Sequence, residues 1–338
     1  MTPLAKRIAR WPKAELHLHL EGSIRPATLR ELAARHRQPL DAETAAALYR
    51  YRDFRGFLNA FKRITALLRT PDDYALITRR LTEELMAQNV IYAEVIVSAG
   101  VMLRRQQDVE ANFAAICEAT RPAARRGLRL AWSFDAVRQF GLGHIWSVAR
   151  LATQLRPYGV VAFGVGGDET ALPTRALQPV YEFVAAHGLH RLIHAGEIGP
   201  PRAVREAVEW LGCERIGHGI AALRDPRLQA LLIERGVVLE LCPTSNLRTG
   251  ALARQLRRRS ADLSDHPLPE FFRAGIPVVL ATDDPALFET TLVREYEQAA
   301  RLGLTAGELR RLAATSFHAA FLPERARRAM LRRMQAVG

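Results

Sequence analysis

Two histidines spaced two apart, His17 and His19, interrupt an apolar run that reads Glu15-Leu16-His17-Leu18-His19-Leu20-Glu21. In a strand alternate side chains share a face, so both imidazoles project one way while Leu16, Leu18 and Leu20 project the other. Two imidazole nitrogens converging on one point make half of a metal site. Taken alone, such a pair is more often a set of core histidines satisfied by their neighbours. Position separates the two readings. His194, His218 and the pair Asp283-Asp284 each close a short apolar run far along the chain.

Imidazole nitrogens with a carboxylate suit zinc, and a site with few protein ligands keeps a position open for water. His17, His19, His194 and one aspartate suffice for one ion, which leaves His218 to orient water and stabilise charge developing on it. Two-metal barrel hydrolases use a bridging modified lysine on a middle strand. Lysine occurs only at positions 6, 13 and 62, so that bridge is not available here. Zinc brings the pKa of its water from about 15.7 toward about 7 and supplies hydroxide. The departing nitrogen then needs a proton. Glu197, in His194-Ala195-Gly196-Glu197, falls where a loop returns over the site and can act as that acid; its competing reading is an exposed loop acid or a helix-start acid. Asp283 and Asp284 are adjacent and must point differently, one to metal and the other to substrate or solvent, although Asp-Asp-Pro is also common turn chemistry.

These residues need strands to carry them. Short β-rich apolar runs followed by helical patterns occur at 14–19, 91–98, 128–134, 160–164, 191–195, 215–217, 237–241 and 277–281. Eight strands alternating with helices predict a single α/β domain over 1–338, a closed parallel (β/α)8 barrel whose carboxyl ends meet on one rim. That rim would gather His17, His19, His194, His218 and the two aspartates. The stretch 24–89 reads as a helical insert after the first strand, with Phe54, Phe57, Leu58 and Phe61 at helical spacing. Such a stripe is more often core than ligand wall, yet an insert there lies on the substrate face, which makes Phe57 and Phe61 candidate pocket residues. The glycine-rich run 164–169 lacks the Gly-Lys-Ser/Thr of a phosphate loop and reads as backbone brought close to a flat ligand. The polar, arginine-rich stretch 250–268 reads as a mobile loop, and 305–338 as terminal helices.

Composition narrows the classes further. The net charge is +13 over 338 residues, nearly all from scattered arginine. Its dense runs, 257–259 and 325–333, lack the interleaved aromatics of single-strand binders, so a solvated basic face is expected and no nucleic-acid partner. No apolar run approaches the roughly 18–20 residues that span a bilayer, and the first ten residues lack a signal-peptide core, which predicts a cytoplasmic protein without a membrane partner. Cys117, Cys213 and Cys242 form no Cys-x-x-Cys pair and read as ordinary thiols. The sequence sets no oligomeric state.

The chain resembles the adenosine deaminase family. The likeness is carried by 12–23 (PKAELHLHLEGS), 57–61 (FLNAF), 167–169 (GDE), 194–197 (HAGE), 215–219 (RIGHG), 241–246 (LCPTSN) and 282–285 (TDDP), in family order over almost the whole chain. The resemblance implies one zinc per chain on His17, His19, His194 and Asp283. It implies Glu197 protonating N1 of a purine, His218 beside the attacking hydroxide, and Asp284 and Gly167 contacting N7 and N3. Hydroxide would add to C6 and ammonia would leave. Glu21 stands where adenosine-specific relatives carry an aspartate facing the ribose, and glutamate there resembles adenine and aminodeoxyfutalosine deaminases of the family; the stretch 91–103 (IYAEVIVSAGVML) looks more like the aminodeoxyfutalosine branch. The implied partner is a small 6-aminopurine nucleoside, 6-aminodeoxyfutalosine ahead of adenosine, with free adenine third. On the residues alone, another metal-dependent amidohydrolase or a barrel that only binds also stays open.

Overall fold

The structure, a computed structural model, describes residues 3–336. Its eight strands are β1 (Lys13–His19), β2 (Val90–Val97), β3 (Arg129–Val137), β4 (Val160–Gly166), β5 (His190–Ala195), β6 (Arg215–His218), β7 (Val238–Leu241) and β8 (Val278–Leu280). Each pairs in parallel with the next, in the order β1 to β8. This is the expected (β/α)8 architecture, with helices packed outside a parallel sheet. Strands buried on both faces read as nearly continuous apolar runs, as β2 does in VIYAEVIV. The polar residues that interrupt them, among them His17, Glu94, Arg215 and Glu240, are buried too.

The last seam closes differently. β8 ends at Leu280, and one bridge, Leu18 with Asp283, joins the end of the chain's barrel to β1. Asp283 N donates to His17 O at 2.9 Å, and His19 N donates to Asp283 O at 2.8 Å. Closure therefore runs through the backbone of three expected metal ligands.

Two boundaries differ instructively from the sequence reading. The third strand was expected to end at 134 because Asp135 breaks its apolar run, but it continues to Val137 and carries Asp135 inward, 6% exposed. The stretch 250–268, expected to be a mobile loop, holds a helix at Ala251–Gln255, with Leu252 and Gln255 buried. Its arginines 257–259 face solvent, whereas Gln255 and the apolar residues before it are drawn inward, so mean polarity misled. Between β1 and β2 the chain forms helices Pro26–Arg35, Ala42–Ala47, Phe54–Thr65 and Pro71–Ala87. Asp53 starts the third by accepting from Gly56 N, and a Thr70–Asp73 capping box starts the fourth.

A buried ionic network fills the barrel below the site. Glu240 accepts from Arg215 Nε at 2.7 Å, and Arg215 pairs through its other edge with Glu94, all within 2% exposure. Glu94 also accepts from Phe321 N at 2.6 Å, and Arg215 donates to Ala319 O at 2.9 Å, which ties the C-terminal segment to the barrel floor. Removing one partner of such a network leaves uncompensated buried charge. Arg215→Met is expected to lower unfolding free energy by about 3–5 kcal/mol, read from the urea midpoint. A shift below about 1 kcal/mol would show that the network is not held in this form.

Candidate active site

The strand ends place six chemistry-bearing residues together. Ligand atoms of His17, His194, His218 and Asp283 lie within 4.8 Å of one another, as do those of His19, Asp283 and Asp284. His19 Nε2 is 3.3 Å from His194 Nε2 and 3.3 Å from Asp283 Oδ1; His17 Nε2 is 3.6 Å from the same oxygen. Register explains the crowding. His194 on β5 lies opposite Gly217 on β6, and a Cβ at 217 would come within 2.6 Å of His17 Cε1. Glycine there allows the His17 and His194 rings to approach to 4.7 Å between centroids.

The donor set fits a divalent cation. His17 Nδ1 lies 2.6 Å from Glu240 Oε2, a carboxylate that Arg215 helps to keep ionised, so Nδ1–H donates and Nε2 is left as the ligand nitrogen. That Nε2 is buried without a hydrogen-bond partner. Burial lowers His19 to about 4 and His194 well below the ordinary histidine range, so both present neutral imidazoles. Burial opposes charge on Asp283, but the close His17 ring and the other imidazoles around it hold its pKa well below the ordinary carboxylate value. Burial also opposes charge on His17, yet Asp283 and Glu240 outweigh it and raise its pKa, the response of a site whose negative field calls for a cation. Neutral imidazoles with one ionised carboxylate are a zinc-type ligand set.

His218 belongs to a different role, and hydrogen bonding shows why. Leu268 N, which can only donate, points at His266 Nδ1 at 3.2 Å, so the His266 proton is on Nε2. His266 Nε2 then donates to Asn246 Oδ1 at 3.2 Å, which turns the Asn246 amide nitrogen toward His218 Nδ1 at 3.0 Å. His218 therefore accepts at Nδ1 and carries its hydrogen on Nε2. That nitrogen sits 3.8 Å from both Asp283 Oδ2 and Glu197 Oε2, placed to donate toward them. Burial lowers His218 to about 4, consistent with a neutral ring.

Glu197 hangs from a loop clamped on both sides. The Glu169 carboxylate accepts from four successive amides, those of Gly196, Glu197, Ile198 and Gly199, at 2.7–3.0 Å. From the other side Gln255 Nε2 donates to Glu197 O at 2.8 Å and Gly199 O at 2.7 Å. Glu197 is 5% exposed. Its pKa is raised well above the ordinary value, first by burial and then by the charges of Asp283 and Glu169. Asp284 is raised likewise by burial and by Asp283, and Gly22 makes room for it, since a Cβ there would fall 1.9 Å from Asp284 Oδ1.

Above these groups lies a cavity of about 530 Å³. Gly167, Asp284, Glu197 and His218 border it, and so do Phe57 and Phe61. Phe57 also packs on Phe288 at 5.0 Å between centroids, so the stripe is core on one side and pocket wall on the other. Glu21 is not among the lining residues. Its buried carboxylate accepts from Ser98 N and Ser98 Oγ, both at 3.0 Å, and Ser98 borders the cavity in its place.

Sequence reasoning missed several residues. Asp135 borders the cavity, and burial pushes its pKa up to about 8. Ser245 Oγ donates to Asp283 Oδ2 at 2.7 Å. Glu240, Glu169, Asn246, His266 and Gln255 position other side chains or backbone across long separations, which one-dimensional patterns do not display. An interrupting acid in an apolar strand, as at 94, 135 and 240, was the available signal.

The comparisons agree with this geometry. The chain matches the adenosine deaminase family over residues 12–337, and it belongs to that family. It is a hydrolytic deaminase acting on purine compounds. It is 41% identical over 322 residues to an aminodeoxyfutalosine deaminase of Streptomyces coelicolor, covering 93% of this chain and 81% of that one. It is 33% identical to an adenine deaminase of a Chelativorans species, covering 96% and 98%. The crystal structure of an adenine deaminase from Arthrobacter aurescens superposes with a TM-score of 0.87 at 28% identity, covering 96% and 98%.

The tautomer derived for His218 has a direct readout. Nitrogen-15 NMR of the metal-loaded protein is expected to show Nε2 protonated and Nδ1 bare. The opposite pattern would break the chain from Leu268 through Asn246.

Proposed function

We propose that the protein converts a 6-aminopurine nucleoside to its 6-oxo form with release of ammonia, acting on 6-aminodeoxyfutalosine ahead of adenosine, with one zinc ion on His17, His19, His194 and Asp283. The observation that carries this reading is a buried Glu197 carboxyl and His218 Nε2 facing one another 3.8 Å apart beside that ligand set. Zinc held there would lower the pKa of water from about 15.7 toward about 7 and so supply hydroxide. His218 aims its hydrogen between Asp283 and Glu197, where it can orient an oxygen nucleophile and stabilise charge on it. Glu197 gives its proton to N1, which makes C6 more electrophilic. Asp284, kept protonated by burial and by Asp283, can donate to N7, an acceptor atom. Gly167 brings backbone to the N3 edge, while Phe57 and Phe61 supply apolar wall. Glu21 acts through Ser98. The preference for 6-aminodeoxyfutalosine is supported by the 41% identity to the Streptomyces enzyme; the adenine deaminases, at 33%, make free adenine the second reading.

Turnover is followed as loss of adenine-type ultraviolet absorbance with zinc-loaded protein, comparing 6-aminodeoxyfutalosine, adenosine and adenine. No spectral change with any of the three would end this reading. Glu197→Gln is expected to lower kcat by about 10²-fold or more while zinc stays near one per chain, and His17→Ala to lose the metal. Because Glu197 acts in its protonated form, kcat holds below its raised pKa and falls as pH rises through it. A rate that falls instead across the ordinary carboxylate range, near pH 4–5, would assign the acid to another group.

A further inference from the structure

The cavity is charged unequally along its length. Asp135, Glu197, Asp283 and Asp284 border its inner end, whereas Lys62, Arg104 and Arg105 border it where the helices Phe54–Thr65 and Ala99–Arg104 end. No ion pair with a carboxylate is formed by any of these three cations among the described residues; Lys62 and Arg104 are exposed. Arg105 is half-buried. Its guanidinium donates to Thr65 O, Thr65 Oγ1 at 3.0 Å and Lys62 O at 3.3 Å, which orient the charge without neutralising it. Burial accordingly lowers its pKa. The Arg104 guanidinium lies 5.7 Å from the centre of the Phe140 ring, on the same cavity.

A bland explanation covers part of this. Lys62 and Arg104 stand in the last turns of their helices, where a cation is favoured by the helix dipole. That accounts for neither the half-buried Arg105 nor the convergence of all three on one cavity. Arg105 feels the buried Glu21 carboxylate at a distance, but its hydrogen bonds go only to neutral acceptors, so an arriving anion would still recover part of its desolvation cost. A fused two-ring base also fills only part of about 530 Å³.

We infer that Lys62, Arg104 and Arg105 form an anion site for a carboxylate or phosphate that the substrate carries at the end remote from its reacting amino group. This rests on the reading of the inner end as the purine site. The anion fixes which purine is used: the inner groups meet a base common to many nucleosides, and the outer cations select those bearing negative charge.

The test compares adenosine, which is neutral, with adenosine monophosphate and with 6-aminodeoxyfutalosine, whose aryl carboxylate supplies the other anion. The enzymes are the wild type, a Lys62→Gln, Arg104→Gln double variant and Arg104→Glu. The wild type is expected to favour one of the two anionic substrates over adenosine by at least about tenfold in kcat/KM, and the better of them identifies the anion. The double variant should reduce that ratio by about tenfold or more, mainly through KM, and Arg104→Glu should reduce it further. Rising salt should erode the preference in the wild type. Equal use of adenosine and both anionic compounds, or a ratio unmoved in folded double variant, overturns the site. If no purine is turned over, the deaminase reading of the inner end fails instead. Calorimetric binding of adenosine monophosphate and of 6-aminodeoxyfutalosine against adenosine still decides the outer end: tighter binding of either anionic compound that the double variant loses supports it, and equal binding of all three overturns it.

Discussion

The barrel closes on Asp283, one of the proposed metal ligands. Every other seam is a ladder of paired strands, but between β8 and β1 the sheet joins through Asp283, whose amide donates to His17 and whose carbonyl accepts from His19. The spacing of those three side chains is therefore set by main-chain hydrogen bonds rather than by flexible rotamers. Asp283 reaches this position with φ of +62°, and His218 on β6 has φ of +63°. Left-handed backbone at a non-glycine residue costs of order 1–3 kcal/mol and persists only where surrounding structure imposes it. Of the seven non-glycine residues with positive φ among the described residues, these two fall at the site, and both turn a side chain inward.

Around that seam the polar groups are arranged so that each buried atom has a defined state. Glu240 takes the Nδ1 hydrogen of His17 and leaves Nε2 bare; Asn246, itself oriented by His266, does the reverse for His218. Two histidines of identical chemistry are thereby assigned opposite tautomers, one able to ligate and the other able to donate. The Glu240 carboxylate is in turn held by Arg215, which reaches Glu94 and the C-terminal segment at Ala319. Ligand geometry at the rim is thus continuous with the ion network on the barrel floor.

The acid is controlled by a separate device. Glu169 gathers four amides of the 196–199 loop, and Gln255 holds its carbonyls, so Glu197 is presented by a backbone with few ways to move. With the carboxylates of Asp283 and Glu169 nearby, the Glu197 proton is retained above the pH at which a free carboxyl would lose it. The same accumulation of acids at the inner end throws the cationic outer end into relief. One cavity is lined by imidazoles and carboxyls at one end, by Lys62, Arg104 and Arg105 at the other, and by aromatic side chains.

The chemistry-bearing residues were legible in the sequence because strand periodicity and strand ends are local properties. His-x-His on one strand face and histidines or aspartates closing later strands needed only the rule that carboxyl ends of barrel strands share a rim. The likeness of seven short stretches to one family then supplied their roles. What the sequence could not show is partnership across the barrel. Asp135 was lost because an acid ends an apolar run when read in one dimension, yet inside a barrel the strand continues past it. Gln255 was lost because arginines that face solvent dominate its neighbourhood. Glu21 read as a pocket residue, and only the fold shows Ser98 standing between it and the cavity. Tautomers, clamped loops and the gathering of Lys62, Arg104 and Arg105 depend on contacts between residues tens to hundreds apart. Those contacts exist only once the chain has closed on itself, so tertiary structure alone decided them.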